Sequence, residues 1–424
     1  MINFYKTVLD SGLRIITAPM KETKAVTILF LVKAGSRHES QKQNGIFHFM
    51  EHMIFKGTKK RPRAIDISRQ LDGIGADFNA FTSEEYTGFY ITSASDKFNL
   101  SLDILSDIFL NSMFPSPEIE KEKGVILEEI NMYKDLPQRY VMELAKKQMF
   151  GNTPLGRSTL GTSQTVSSFS RKDFIDVFKK NYCAKNTLVV VAGNQEKLNW
   201  ESAIKQKLSK ITQGEVAKPQ KNIKIQNSPV INTYYKKTDQ SHLVLGFPTF
   251  SRLDKRRYPL KLLNNIFGAN MSSRLFTEIR EKRGLAYYIG SSIAEFADTG
   301  MHFAYAGVDN KRIDEAIKVI LSEYQKIISK GLLQEEIKRS KDNIKGRTYI
   351  DLESSSSIAD YLAEQELLYD EITQPEEHLK KIFSLQNQDL KKLANEFIKL
   401  NSLNLTILGP FKDNNRFEKI VNAW

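Results

Sequence analysis

The 424-residue chain holds one cysteine, Cys183, which excludes an intrachain disulfide and any zinc site assembled from several thiolates. A bound metal would have to be held by His, Asp or Glu, and such cysteine poverty fits a reducing compartment. No uninterrupted apolar run approaches the ~20 residues of a membrane span. The text opens on strand-like stretches, Ile2 to Leu9 and Leu13 to Ala18, without a basic region, an apolar region and a cleavage site in series. The expectation is a cytoplasmic protein that does not engage a membrane. Concentrated positive charge is also missing. Lys and Arg outnumber Asp and Glu by 62 to 50, giving +12, but the excess is scattered, with only short groups at Lys59-Lys60-Arg61 and Lys255-Arg256-Arg257. Nucleic acid is not expected as a partner, because it requires clustered charge.

What is present is a soluble composition, 41% apolar and 26% charged, on a chain long enough for two to three domains at roughly 150 residues each. Ala25 to Val32 and Tyr86 to Thr92 read as strands, Asn99 to Phe109 and Arg171 to Lys180 as helices. Further on, His242 to Phe247, Tyr287 to Phe296 and His302 to Val308 read as strands, and Arg312 to Ser329 and Gln334 to Tyr349 as helices. Around 214–229 the text turns to Lys, Gln, Asn and Pro, the composition of a connection between lobes 1–213 and 230–424. The lobes end alike: residues 173–193 overlay residues 389–409 without a gap as helix, polar turn, apolar strand and glycine, which suggests duplication.

Asn44 to Gly57, NGIFHFMEHMIFKG, predicts a helix with Asn44 as N-cap, Lys56 in the last turn and Gly57 as the stop. At about 100° per residue, His48, Glu51 and His52 share one stripe while the rest of the helix is apolar. Burying two imidazoles and a carboxylate is costly unless they pair or bind a metal. Histidines at i and i+4 can hold one zinc ion, and a carboxylate one residue before the second can reach water beside it. This is the inverted zincin order, HxxEH. A third ligand is needed, and a helix opened by Ser116 and Pro117 carries Glu122 and Glu129 seven residues apart on one face, either of which could turn to a metal.

HxxEH followed by 76 residues and then glutamate, His52 to Glu129, resembles the insulinase or pitrilysin family of zinc peptidases, and the half-length, processing-peptidase subgroup most closely. GSRHE, HFMEHMIFKGT, NAFTSEEYT and VILEEINMYKDLP carry the likeness. The resemblance implies an α+β fold of two homologous lobes, each a mostly antiparallel sheet flanked by helices, joined by a linker. It implies one zinc ion held by His48, His52 and Glu129, Glu51 as general base and Glu122 as an assisting acidic residue. Spacing favours Glu129 over its neighbour Glu128. In the second lobe the family's arginine and tyrosine fall on Arg280 and Tyr287, with Tyr288 as the neighbouring alternative. A guanidinium there would grip substrate backbone and a phenol would donate to an oxyanion. The substrate-binding edge strand falls on Asn79, Ala80 and Phe81, where a peptide would add as an extra strand. Where HFMEH would recur, Lys261 to Asn265 reads KLLNN, so the second repeat is expected to support rather than cut. The implied activity is zinc-dependent cleavage of unfolded peptides in a chamber made by pairing two chains, with a homodimer expected. The alternative is a non-catalytic, peptide-binding or structural subunit of the same fold.

Overall fold

The computed structural model describes residues 1–195, 199–216, 218–219, 226–369 and 371–424; residues 217 and 220–225 of the expected 214–229 connection lie outside the described residues. Two compact units are built on two sheets. The first sheet contains β1 (Tyr5–Val8), β2 (Arg14–Pro19), β3 (Ala25–Val32), β4 (Asp77–Thr82), β5 (Thr87–Ala94) and β6 (Thr187–Gly193), in the order β1-β2-β6-β3-β5-β4. The second contains β7 (Val230–Tyr235), β8 (Gln240–Thr249), β9 (Ala286–Glu295), β10 (Gly300–Asp309) and β11 (Asn404–Gly409), in the order β7-β11-β8-β10-β9.

These orders superimpose from β2 and β7 onward. In each unit the last strand, β6 or β11, enters the middle of the sheet, parallel to one neighbour and antiparallel to the other. The preceding helices, Arg171–Asn181 and Asn387–Phe397, start the same way: Asp173 accepts the N–H of Ser170 and Asp389 that of Gln386, each at 2.8 Å. Both units are therefore the expected α+β lobe, each mostly antiparallel.

β3 and β6 read as near-continuous apolar runs because both faces of their sheet are covered. On one face Ile358, Ala359, Leu362 and Leu367 of the helix Ser355–Leu368 pack against Ile16, Leu29, Leu31, Leu188 and Val190. On the other, Phe109 of the helix Phe98–Asn111 meets Phe30 edge-on at 5.3 Å. In the second unit, Val141, Leu144, Ala145 and Met149 of the helix Pro137–Phe150 cover Val244, Met301, Phe303 and Leu408.

The contiguous division into 1–213 and 230–424 is crossed twice by the chain, because residues 132–156 belong to the second unit and 349–374 to the first. Each lobe thus takes its sheet-covering helix from a distant stretch of sequence. Among the described residues no helix is long and apolar enough to cross a membrane.

Candidate metal centre

The HxxEH helix spans Ile46–Met53, shorter than expected at both ends. Asn44 is not its N-cap: that position is Gly45, at φ +95°, a left-handed conformation that glycine adopts without strain. Asn44 turns its amide to the Ser158 carbonyl at 2.8 Å and to Glu39 at 3.1 Å. Glu39 takes over the capping, accepting the N–H of Gly45 at 2.9 Å and of Phe47 at 3.0 Å. His52, not Lys56, stands in the last turn, and Gly57 follows at φ +135°. The apolar side, Ile46, Phe49, Met50 and Met53, is fully buried, with Phe49 against Phe174 at 4.8 Å.

Glu122 and Glu129 lie on the helix Ser116–Asp135, whose first residue is Ser116 itself; the Pro115 carbonyl accepts the N–H groups of Glu118 and Ile119. Ile119, Ile126 and Ile130 bury one stripe of it, and Glu122 and Glu129 flank that stripe while Glu128 faces solvent. Helix phase therefore selects Glu129 over Glu128.

Nε2 of His48 and Nε2 of His52 each lie 3.6 Å from Oε2 of Glu129. That is long for a hydrogen bond but close to the ~3.4 Å edge of a tetrahedron with bonds of about 2.1 Å, as zinc makes with nitrogen and carboxylate oxygen. Among the described residues this trio forms a group able to hold a metal ion, its ligand atoms all within 4.8 Å of one another. Three protein donors leave a fourth position for water or substrate, the pattern of a catalytic zinc site. Nδ1 of His52 is hydrogen-bonded to Glu122 at 2.9 Å, which fixes the ring so that Nε2 faces Glu129. Oε2 of Glu122 is in turn 2.6 Å from Nζ of Lys56.

Burial pushes the His48 imidazole down to about 3, with His52 beside it adding to the effect. Neutral imidazole is the form a metal takes. At His52 burial works in the same direction, but Glu122, Glu129 and Glu51 outweigh it and hold the pKa above its ordinary value. Glu51 is half-buried on the same stripe. Burial raises its pKa, opposed by a hydrogen bond from Thr82 and by His52, and reinforced by Glu129.

Thr82 ends β4, the edge strand of the first sheet that carries Asn79, Ala80 and Phe81, and its hydroxyl donates to the Phe47 carbonyl of the HxxEH helix at 3.4 Å. Oδ1 of Asn79 accepts the Ala80 N–H at 2.9 Å, while the strand's other side pairs with β5. Arg280 and Tyr287 belong to the second unit. Arg280 lies over the Phe276 ring at 5.1 Å in the π-helical turn Phe276–Glu281, and Tyr287 is 75% exposed at the start of β9. Its rival Tyr288 is engaged, its hydroxyl 2.7 Å from Nδ1 of His242.

The second unit repeats the scaffold without the chemistry. KLLNN lies on the helix Arg257–Phe267, and Oδ1 of Asn265 accepts the Ser340 hydroxyl at 2.5 Å from the helix Gln334–Asp351. Residue for residue from the start of each helix, Ser340 corresponds to Glu122, and Asn265 stands where KLLNN places the second histidine. Neutral hydrogen bonds replace the ion pair. Sequence reading missed the capping by Glu39, the contact of Thr82 with the Phe47 carbonyl and the pairing of Lys56 with Glu122. GSRHE carried Glu39 as part of a resemblance, but nothing in its spacing shows that it reaches a helix six residues on.

Residues 14–163 match the family described as Insulinase (Peptidase family M16), and residues 168–344 the Peptidase M16 inactive domain. An uncharacterized zinc protease of Streptomyces coelicolor is 32% identical over 96% of this chain and 90% of its own. One from Rickettsia bellii is 35% identical over 96% of this chain and 98% of its own. A protease from Helicobacter pylori, known by crystal structure, superimposes with a TM-score of 0.91 over 96% of this chain and all of its own. At 21% identity that likeness speaks to the fold alone. The two matches in tandem, with relatives this similar along their whole length, make the chain a half-length member of the insulinase, or M16, peptidase family.

Proposed function

We propose that the chain is a zinc-dependent endopeptidase acting on extended, unfolded peptides. The observation that carries this is the convergence of His48, His52 and Glu129 beside Glu51. Zinc, when bound there, supplies Lewis-acid polarisation of the scissile carbonyl and makes water easier to deprotonate. Glu51 takes a proton from the attacking water and returns it to the leaving amine, a role suited to a carboxylate whose pKa is raised by burial. Glu122 holds His52 in the tautomer that leaves Nε2 free.

The peptide adds as a strand to β4 at Asn79, Ala80 and Phe81, and backbone pairing accepts many sequences. Support comes from the position of β4 at the sheet edge and from Thr82, whose hydroxyl ties that edge to the Phe47 carbonyl of the HxxEH helix. Arg280 grips substrate backbone and Tyr287 donates to the oxyanion; the exposure of Tyr287 is consistent with a role in contact with substrate. By likeness to the half-length subgroup, two copies pair to enclose a chamber, and each Arg280 and Tyr287 serve the metal of the other copy. Mixed Glu51→Gln and Tyr287→Phe chains should then regain activity that neither has alone; proven mixed dimers without activity would refute the sharing.

The non-catalytic alternative has less support. The inactive-domain match begins at residue 168, beyond all three ligands. Incubation with a peptide mixture, with and without chelator, tests the proposal: cleavage abolished by chelator, restored by zinc and absent in Glu51→Gln is expected. Undiminished cleavage by Glu51→Gln would refute the mechanism.

A further inference from the structure

The N-terminal end of the HxxEH helix is held by groups that touch neither a metal ligand nor Glu51. Glu39 is 1% exposed, and both oxygens of its carboxylate are used: Oε2 accepts Gly45 N–H at 2.9 Å and the Asn44 amide at 3.1 Å, and Oε1 accepts Phe47 N–H at 3.0 Å. The Glu39 carbonyl accepts from Arg157 at 2.6 Å. The same Asn44 amide reaches the Ser158 carbonyl at 2.8 Å, and the Asn44 carbonyl accepts the Thr165 hydroxyl at 2.7 Å. Gly45 leaves no room for drift, since a Cβ there would meet the Leu160 carbonyl oxygen at 2.6 Å and Gly161 Cα at 2.7 Å.

An ordinary N-cap serine or threonine satisfies one orphan N–H from its own position. Glu39 instead reaches in from six residues before Gly45 and grips two backbone donors two residues apart. That constrains rotation of the helix about its axis as well as its end. The grip closes at Phe47, one residue before His48. A buried carboxyl is costly to maintain: burial pushes it up to about 7 against hydrogen bonds from Phe47, Gly45 and Asn44. A fold needing only a helix cap has less expensive choices.

We infer that Glu39 is a positioning residue that sets the depth and rotation of the HxxEH helix so that His48 and His52 reach Glu129 together. The inference rests on the metal-binding reading above. A glutamine would turn one of the two acceptors into a donor facing a backbone N–H, leaving that N–H unsatisfied.

The test is zinc affinity by chelator competition on the full chain, with far-UV circular dichroism and melting midpoints recorded alongside. For Glu39→Gln, zinc should bind more weakly by about 10-fold or more, because a buried backbone N–H at the start of the ligand helix is left unsatisfied, while the chain stays folded at the assay temperature. Asn44→Ala, which removes one of the three donors, should weaken binding by roughly 2–10-fold, and it decides the matter if Glu39→Gln does not fold. A lowered melting midpoint with zinc affinity within twofold of wild type would mean a merely structural cap and would overturn the inference alone. A wild-type chain that takes up no zinc would sink the metal reading, and this inference with it.

Discussion

Removal of the Glu122 side chain probes the site where geometry and electrostatics pull in opposite directions. Glu122 holds Nδ1 of His52 at 2.9 Å and so keeps Nε2 aimed at Glu129. It also raises the His52 pKa against burial, which favours a proton that competes with a metal. Proton competition weakens as pH rises, so an alkaline pH such as about 8 best exposes the loss of orientation, typically about 10–100-fold in metal affinity, or roughly 1.4–2.7 kcal/mol. Glu122→Ala should therefore weaken zinc binding by that factor at pH 8. Glu122→Gln, which keeps an acceptor but not the charge, should fall between it and wild type. Lys56 loses its anionic partner in both, yet at 25% exposure its ammonium can reach water, so the cost to folding should be small beside the cost to the metal. Competitive titration against a chromophoric chelator measures the effect. Affinity of Glu122→Ala within twofold of wild type would refute the orienting role.

Tyr287→Phe should lower kcat by about a hundredfold or more while leaving zinc content unchanged, because an oxyanion donor acts only in the transition state; a loss below threefold in steady-state peptide hydrolysis would remove Tyr287 from the mechanism. Burial works against ionisation of Asp103, but hydrogen bonds from Arg61, Lys207 and Lys60 hold its pKa below the ordinary 3.8. The sign follows: ionised Asp103 stabilises the fold above that pH and the gain is lost on acidification. Asp103→Asn should cost about 1 kcal/mol at pH 7, with the difference shrinking below pH 3.8 in urea titrations. A difference independent of pH would contradict it. Gly45→Ala should destabilise by roughly 2 kcal/mol or more, since it adds left-handed strain to a backbone clash; an unchanged urea midpoint would show that the turn can relax.

Much of the site was legible because its parts are local. His48, Glu51 and His52 lie within five residues, so helix phase alone aligns them. Glu122 and Glu129 share a helix face for the same reason, and the matching ends of the lobes showed in the overlay of 173–193 on 389–409. Other features depend on groups brought together by tertiary structure. A glutamate followed six residues later by glycine carries no capping signature, so Asn44 looked like the N-cap that Glu39 in fact replaces. The helix Ser355–Leu368 has an apolar side but no mark of which sheet it covers, and it belongs to the first. Tyr287 and Tyr288 differ in sequence by one position, whereas His242, which engages Tyr288, comes from another strand.

Diffraction data collected at the zinc absorption edge, from crystals grown with the metal, test the central claim most directly. The account predicts one anomalous peak per chain, about 2.1 Å from Nε2 of His48, Nε2 of His52 and a carboxylate oxygen of Glu129. A metal-replete crystal in which those three side chains diverge, or in which the peak lies elsewhere, would contradict it.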